Sequence, residues 1–156
     1  MPRSTGPFPS VELRDLEGAQ HPIAESWAQG PALVVIGHRN CKTTRETLAL
    51  ADRIHARRSP DAGVVAVLQD DAETARTLRD QLGLTLPVRL EPDPYPLAAA
   101  LELTTVPTLF LIAPDGSIER VSEALRRADL EAFGARLGVQ GELFTADDKI
   151  PALKPG

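Results

Sequence analysis

Three short runs of consecutive apolar residues, Ala32 to Ile36, Gly63 to Leu68 and Leu109 to Ile112, divide the chain. Runs of this length and aliphatic character, bounded by glycine, proline or polar residues, predict strands buried on both faces. Val11 to Leu16 instead alternates apolar with charged residues and predicts a half-exposed strand closed by Glu17-Gly18. Between the runs the apolar period lengthens to three and four. Leu48, Ala51, Ile54 and His55 form one stripe over Thr43 to Arg57, which Ser59-Pro60-Asp61 ends. Ala72, Ala75, Leu78 and Leu82 form a second, introduced by Asp70 and Glu73 in capping-box spacing and stopped at Gly83. Leu130, Phe133 and Leu137 form a third, stopped at Gly138.

Smaller elements complete the pattern. Ile23 to Trp27 predicts one helical turn, Pro87 to Leu90 a short strand, and Pro94 or Pro96 the first turn of a helix reaching about Leu101. Pro114-Asp115-Gly116 is a turn joining Thr108 to Ile112 with Ser117 to Val121 as a hairpin. Alternating strands and helices predict an α/β domain, with a central mixed sheet covered on both faces and the hairpin as its antiparallel part. The domain is expected over residues 1–138, ordered from about residue 8. Residues 1–10 are expected to run extended over the surface, and the polar, proline-bearing residues 139–156 to form a C-terminal extension. Trp27, Tyr95 and Phe133 are expected in the core.

Composition narrows the function. A chain of 156 residues, 42% hydrophobic and 25% charged, supports one domain with a proper core. A net charge of −5 argues against nucleic acid as a partner. The dense basic patch Arg53, Arg57 and Arg58 falls at a predicted helix end, where cations complement the dipole. No run reaches the length of a membrane span, and Met1 to Gly6 lacks the apolar middle of a signal peptide, so the expectation is a cytoplasmic protein without membrane contact. A single cysteine excludes any internal disulfide, and His21, His38 and His55 show no metal-ligand spacing; no metal or cofactor is expected.

That cysteine, Cys41, follows the first buried strand after His38-Arg39-Asn40 and precedes the long helix. A sulfur there lies near unpaired backbone N–H groups and the positive end of the helix dipole, which favour a thiolate; Lys42 and Arg45 add charge. None of its near neighbours is aliphatic, so the segment reads as a reactive loop rather than core. Far along the chain, Thr105-Val106-Pro107-Thr108 sets a proline at the mouth of another buried strand.

Cys41-Lys42-Thr43-Thr44 and Val106-Pro107-Thr108, in this order, resemble the thioredoxin-like superfamily, whose redox loop reads Cys-x-x-Cys and whose opposing loop carries a cis-proline. The resemblance runs from about Phe8 to Leu137. It looks closest to the alkyl hydroperoxide reductase/thiol-specific antioxidant (redoxin) branch and the thioredoxin-like cytochrome-maturation proteins, which insert a strand and helix between cysteine and proline. It implies a cis Val106–Pro107 bond beside Cys41, with Val106, Pro107, Lys42 and Thr43 at the substrate.

Thr44 stands where the family places its resolving cysteine. Its hydroxyl is expected to donate to the Cys41 thiolate, and the substitution forces release of any mixed disulfide by an external thiol. His38 stands where peroxiredoxins carry a threonine or serine and is a candidate proton shuttle. The arginine that peroxiredoxins place at the start of the proline strand is missing, leaving Arg45 or Arg89 as substitutes in space. The expected function is thiol–disulfide exchange through Cys41, with a low-molecular-weight thiol or a protein disulfide as partner, in a monomer or weak homodimer. The alternatives are a one-cysteine peroxidase and a binding module with an inert Cys41.

Overall fold

The computed structural model describes residues 1–156. The three continuous apolar runs become neighbouring strands at the middle of a seven-stranded sheet. In chain order the strands are β1 (Glu12–Arg14), β2 (Gln20–Pro22), β3 (Ala32–Gly37), β4 (Gly63–Leu68), β5 (Val88–Leu90), β6 (Thr108–Ile112) and β7 (Ile118–Glu123). Their order across the sheet is β2-β1-β5-β4-β3-β6-β7. β3 pairs parallel with β4 and antiparallel with β6. A parallel pair needs a crossover, and α1 (Lys42–Arg57) supplies it between β3 and β4, while α2 (Ala72–Leu82) connects β4 to β5.

Side chains alternate across the sheet and build two cores. Leu33, Val35, Ala66, Leu68, Leu109 and Leu111 enter the larger core with α1, α2 and α4 (Arg127–Arg136). Val34, Ile36, Val65, Val67, Phe110 and Ile112 enter the smaller one, with Trp27 from a single 3₁₀ turn (Ile23–Trp27) and Leu97 from α3 (Pro96–Ala100). The fold class expected from the pattern is the one observed. β2, an edge strand of polar residues (Gln20-His21-Pro22), had no apolar signal and was not expected.

Several expectations at element ends are corrected. Asp71, not Asp70, caps α2, its carboxylate accepting the Thr74 N–H at 2.7 Å. Gly83 closes α2 in the left-handed conformation, as a helix stop requires. On α1 the buried face includes Leu50 and three threonines, Thr43, Thr44 and Thr47, while His55 is only half-buried. Tyr95 is also half-buried; it is the residue before α3, with φ of 58°.

The two chain ends depart most from expectation. Arg3 donates its N–H to the Leu101 carbonyl at 2.8 Å, and Phe8 lies edge-on to Trp27 and Phe110 in the smaller core. Residues 139–156 do not stand apart from the domain: Val139, Leu143 and Phe144 are buried in the larger core. The basic patch explains why. Arg53 donates to the Leu143 carbonyl at 3.2 Å, pairs with Asp148 at 3.1 Å and covers the Phe144 ring at 5.6 Å. Arg57 donates to the carbonyls of Gln140 and Glu142 at 2.7 and 3.1 Å. Of the three, only Arg58 serves the helix end itself, donating to the His55 carbonyl at 2.7 Å. Farther on, β8 (Leu125–Arg126) and β9 (Leu153–Lys154) pair antiparallel, bringing the end of the chain back along α1.

Candidate active site around Cys41

The loop that carries Cys41 is held at three points. The Cys41 N–H donates to the His38 carbonyl at 3.3 Å, closing a turn. The Arg39 N–H donates to the Asp70 carboxylate at 2.9 Å, which ties the loop to the end of β4 and is what Asp70 does instead of capping α2. The Arg45 guanidinium donates to the Arg39 carbonyl at 2.5 Å. Beneath the loop, Thr44 packs on the end of β3 where residue 37 has no side chain. A Cβ on Gly37 would lie 2.5 Å from the Thr44 methyl and 2.7 Å from its hydroxyl, so glycine sets how closely α1 approaches the strand.

Cys41 is the N-cap of α1. Its φ and ψ are extended, and its sulfur accepts the backbone N–H of Thr44 at 3.4 Å. Sulfur replaces the oxygen that usually fills this role, and it sits at the helix end that favours an anion. On its other side Sγ lies 3.6 Å from the Val106 carbonyl, to which the thiol donates. The two contacts serve different protonation states: the Val106 carbonyl accepts only from the thiol, whereas the Thr44 N–H is best matched by the thiolate.

The Thr44 hydroxyl does not make the bond expected of it. Its oxygen is buried with no hydrogen-bond partner, as is that of Thr47 one turn farther on. Thr44 thus serves the sulfur through its main chain.

Sγ opens on a cleft of about 690 Å³ lined by His38, Asn40, Cys41, Lys42, Thr43, Gln69, Ala98, Leu103, Thr104, Thr105, Val106 and Gly156. Of the residues expected at the site, His38, Cys41, Lys42, Thr43 and Val106 meet there. Pro107 does not line it: the Val106–Pro107 bond is cis and the Pro107 ring is buried behind Val106. His38 Nδ1 is buried without a partner, and no hydrogen bond joins the imidazole to Sγ. The two arginines considered as substitutes are engaged elsewhere, Arg45 on the Arg39 carbonyl and Arg89 on Glu25 at 3.2 Å. Neither lines the cleft.

Seven cleft residues were not among those expected at the site: Asn40, Gln69, Ala98, Leu103, Thr104, Thr105 and Gly156. Gln69 and Thr104 are ordinary polar residues beside strands, with no pattern to mark them, and Thr105 was read only as the start of the Pro107 segment. Gln69 donates to the fully buried Glu91 carboxylate at 3.3 Å, and Glu91 in turn accepts the N–H groups of Leu97 and Ala98 at the start of α3. Gly156 arrives from the chain end. No group of three or more His, Cys, Asp or Glu side chains gathers as a metal site, and no helix is long and apolar enough to cross a membrane.

No protein-family model and no curated protein matches the sequence. Solved structures do match the fold. A protein from Chlorobium tepidum described as the thiol:disulfide interchange protein DsbE superposes with a TM-score of 0.77 at 19% identity, covering 87% of this chain and 96% of its own. The fold is thioredoxin-like. Peroxidoxin BcpB from Mycobacterium tuberculosis gives 0.74 at 13% identity, covering 91% and 100%. A secreted disulfide oxidoreductase from the same organism, homologous to Escherichia coli DsbE, gives 0.66 at 15%, covering 81% and 95%. Within this thioredoxin-like fold Cys41 occupies the loop after the central strand, opposite the loop of Val106 and Pro107.

Proposed function

We propose that this chain acts by thiol–disulfide exchange, with Cys41 as its one nucleophile. The observation that carries the reading is the double contact of the sulfur: an N-cap acceptor of the Thr44 N–H, placed against the Val106 carbonyl at the mouth of a cleft. The Cys41 thiolate attacks one sulfur of a substrate disulfide, the S–S bond breaks, and the other sulfur leaves as a thiolate. The product is a mixed disulfide on Cys41. Thr44 contributes no second thiol, so an external thiol attacks that disulfide, takes the substrate sulfur into a new disulfide and returns Cys41 as thiolate. An extended peptide seated beside Val106, where Gly156 lies, would donate a backbone N–H to the Val106 carbonyl.

The engaged arginines rank peroxidase chemistry below exchange, since a departing hydroxide meets no free guanidinium among the cleft residues. Stopped-flow mixing of the reduced protein with a glutathionylated peptide, and separately with hydrogen peroxide, tests the ranking, with Cys41→Ser as the blank. The expected result is transfer of one glutathione per Cys41 at a rate at least an order of magnitude above that for peroxide. A peroxide rate approaching that of dedicated peroxidases would make the chain a one-cysteine peroxidase. A sulfur unreactive toward both reagents until the protein unfolds would make it a binding module.

A further inference from the structure

Residues 152–156 trace a path that ends beside Cys41. The Arg127 N–H donates to the Ala152 carbonyl at 3.1 Å, and β9 continues along β8 with Lys154 opposite Leu125. The Lys154 ammonium then meets both carboxylate oxygens of Glu46, at 2.6 and 2.7 Å. Thr43, one turn nearer the start of α1 on the same face, donates its hydroxyl to the Pro155 carbonyl at 2.6 Å. Gly156 lies directly on the Val106 carbonyl: a Cβ added there would fall 1.7 Å from that oxygen and 3.2 Å from Pro107 Cδ. That oxygen is also the one 3.6 Å from the Cys41 sulfur.

This is how an extended peptide ligand would sit, with a strand edge, a charge clamp, a hydroxyl and a carbonyl in register along one line. The hold is light. Glu46 and Lys154 are both partly open to solvent, and a pair of that kind contributes little. We propose that Leu153–Gly156 is a displaceable built-in ligand of this track, and that the track takes in its place an extended peptide carrying a lysine or arginine over Glu46. The class of incoming peptide rests on the exchange reading; the seating of the tail on the track does not.

The test reads Cys41 alkylation by iodoacetamide on the full chain, which needs no disulfide chemistry. Lys154→Glu sets a second carboxylate against Glu46, and Gly156→Ala forces the tail off the Val106 carbonyl. Each is expected to raise the alkylation rate by about three- to fivefold, the scale of one exposed ion pair. The swap Glu46→Lys with Lys154→Glu is expected to return it to the original rate. Adding the peptide Ala-Leu-Lys-Pro-Gly in excess to the Lys154→Glu protein is expected to restore protection, and Ala-Leu-Glu-Pro-Gly is not. Unchanged alkylation in both single variants would overturn the built-in ligand, and equal protection by the two peptides would overturn the preference for a basic side chain. Should alkylation respond as expected while glutathionylated peptides fail to react with any variant, the tail proposal stands and the exchange reading falls.

Discussion

The two ends of α1 hold their partners by different means. The amino end holds a sulfur with the main chain: the Thr44 N–H points at Sγ because it is the third residue of a helix that Cys41 caps. The carboxyl end holds a chain segment with side chains: Arg53 and Arg57 reach out to four carbonyl or carboxylate partners and one aromatic ring. A main-chain site tolerates a wide choice of side chains as long as the helix starts where it does. A side-chain site depends on those particular arginines and on the segment they meet. The first kind of site is legible in a sequence from position alone, and the second is not.

The strongest way to break this contrast is Phe144→Ala. If residues 139–156 were only an extension, removing a ring there would change stability little. Because Phe144 is 4% exposed and part of the larger core, the expected loss is about 3 kcal/mol or more, measured by urea denaturation. Gly37→Ala tests the amino end. Its Cβ would press on Thr44, so the start of α1 shifts and the Thr44 N–H leaves Sγ; a loss of about 1–3 kcal/mol is expected, with slower alkylation of Cys41.

Thr44→Val sharpens the same point with a gentler change. The Thr44 hydroxyl is buried without a partner, and removing an unsatisfied polar atom relieves its desolvation cost. The variant is expected to be more stable by about 1 kcal/mol. Its alkylation rate should match the parent's, since the N–H remains. A slower rate would show that the hydroxyl, not the main chain, serves the thiolate.

The smallest effect is the pH dependence of the Arg53 anchor. The Arg53 guanidinium, with help from the Thr145 N–H, holds the Asp148 carboxyl down to about 2, from an ordinary 3.8. A carboxyl lowered on folding binds its proton later than in the unfolded chain. Its contribution is therefore complete above the ordinary value and lost as pH falls through about 2. Thermal melts across that window should fall less steeply for Asp148→Asn than for the parent; identical slopes would mean that the pair adds nothing to the anchor.

Much of the fold was legible because its signals are local. The continuous runs at β3, β4 and β6 mark central strands, whatever the rest of the chain does. Gly83 and Gly138 stop helices because both adopt positive φ, 64° and 90°, where a side chain is strained. Cys41 was legible because a strand end and a helix start are visible in the pattern, whereas Val106 was placed at the site only by the resemblance that Val106-Pro107-Thr108 carries. β2 was missed because a short polar edge strand buries little. The burial of the tail was not legible because Val139 and the adjacent pair Leu143-Phe144 are too few apolar positions to show a period.

What the sequence by itself determined, then, is the part governed by neighbours along the chain: which segments are strands and helices, which face of each is apolar, and that a sulfur sits at the start of α1. Tertiary structure decided the individual contacts around that sulfur. The Val106 carbonyl, the Asp70 carboxylate under Arg39, the engagement of Arg45 and Arg89, and the passage of residues 153–156 over Thr43 and Glu46 all join positions far apart in the chain. Hydrogen bonds and ion pairs of this kind leave no periodicity behind. Each needs only two compatible groups, which recur throughout any polar surface, and only the packed fold selects the pair that meets.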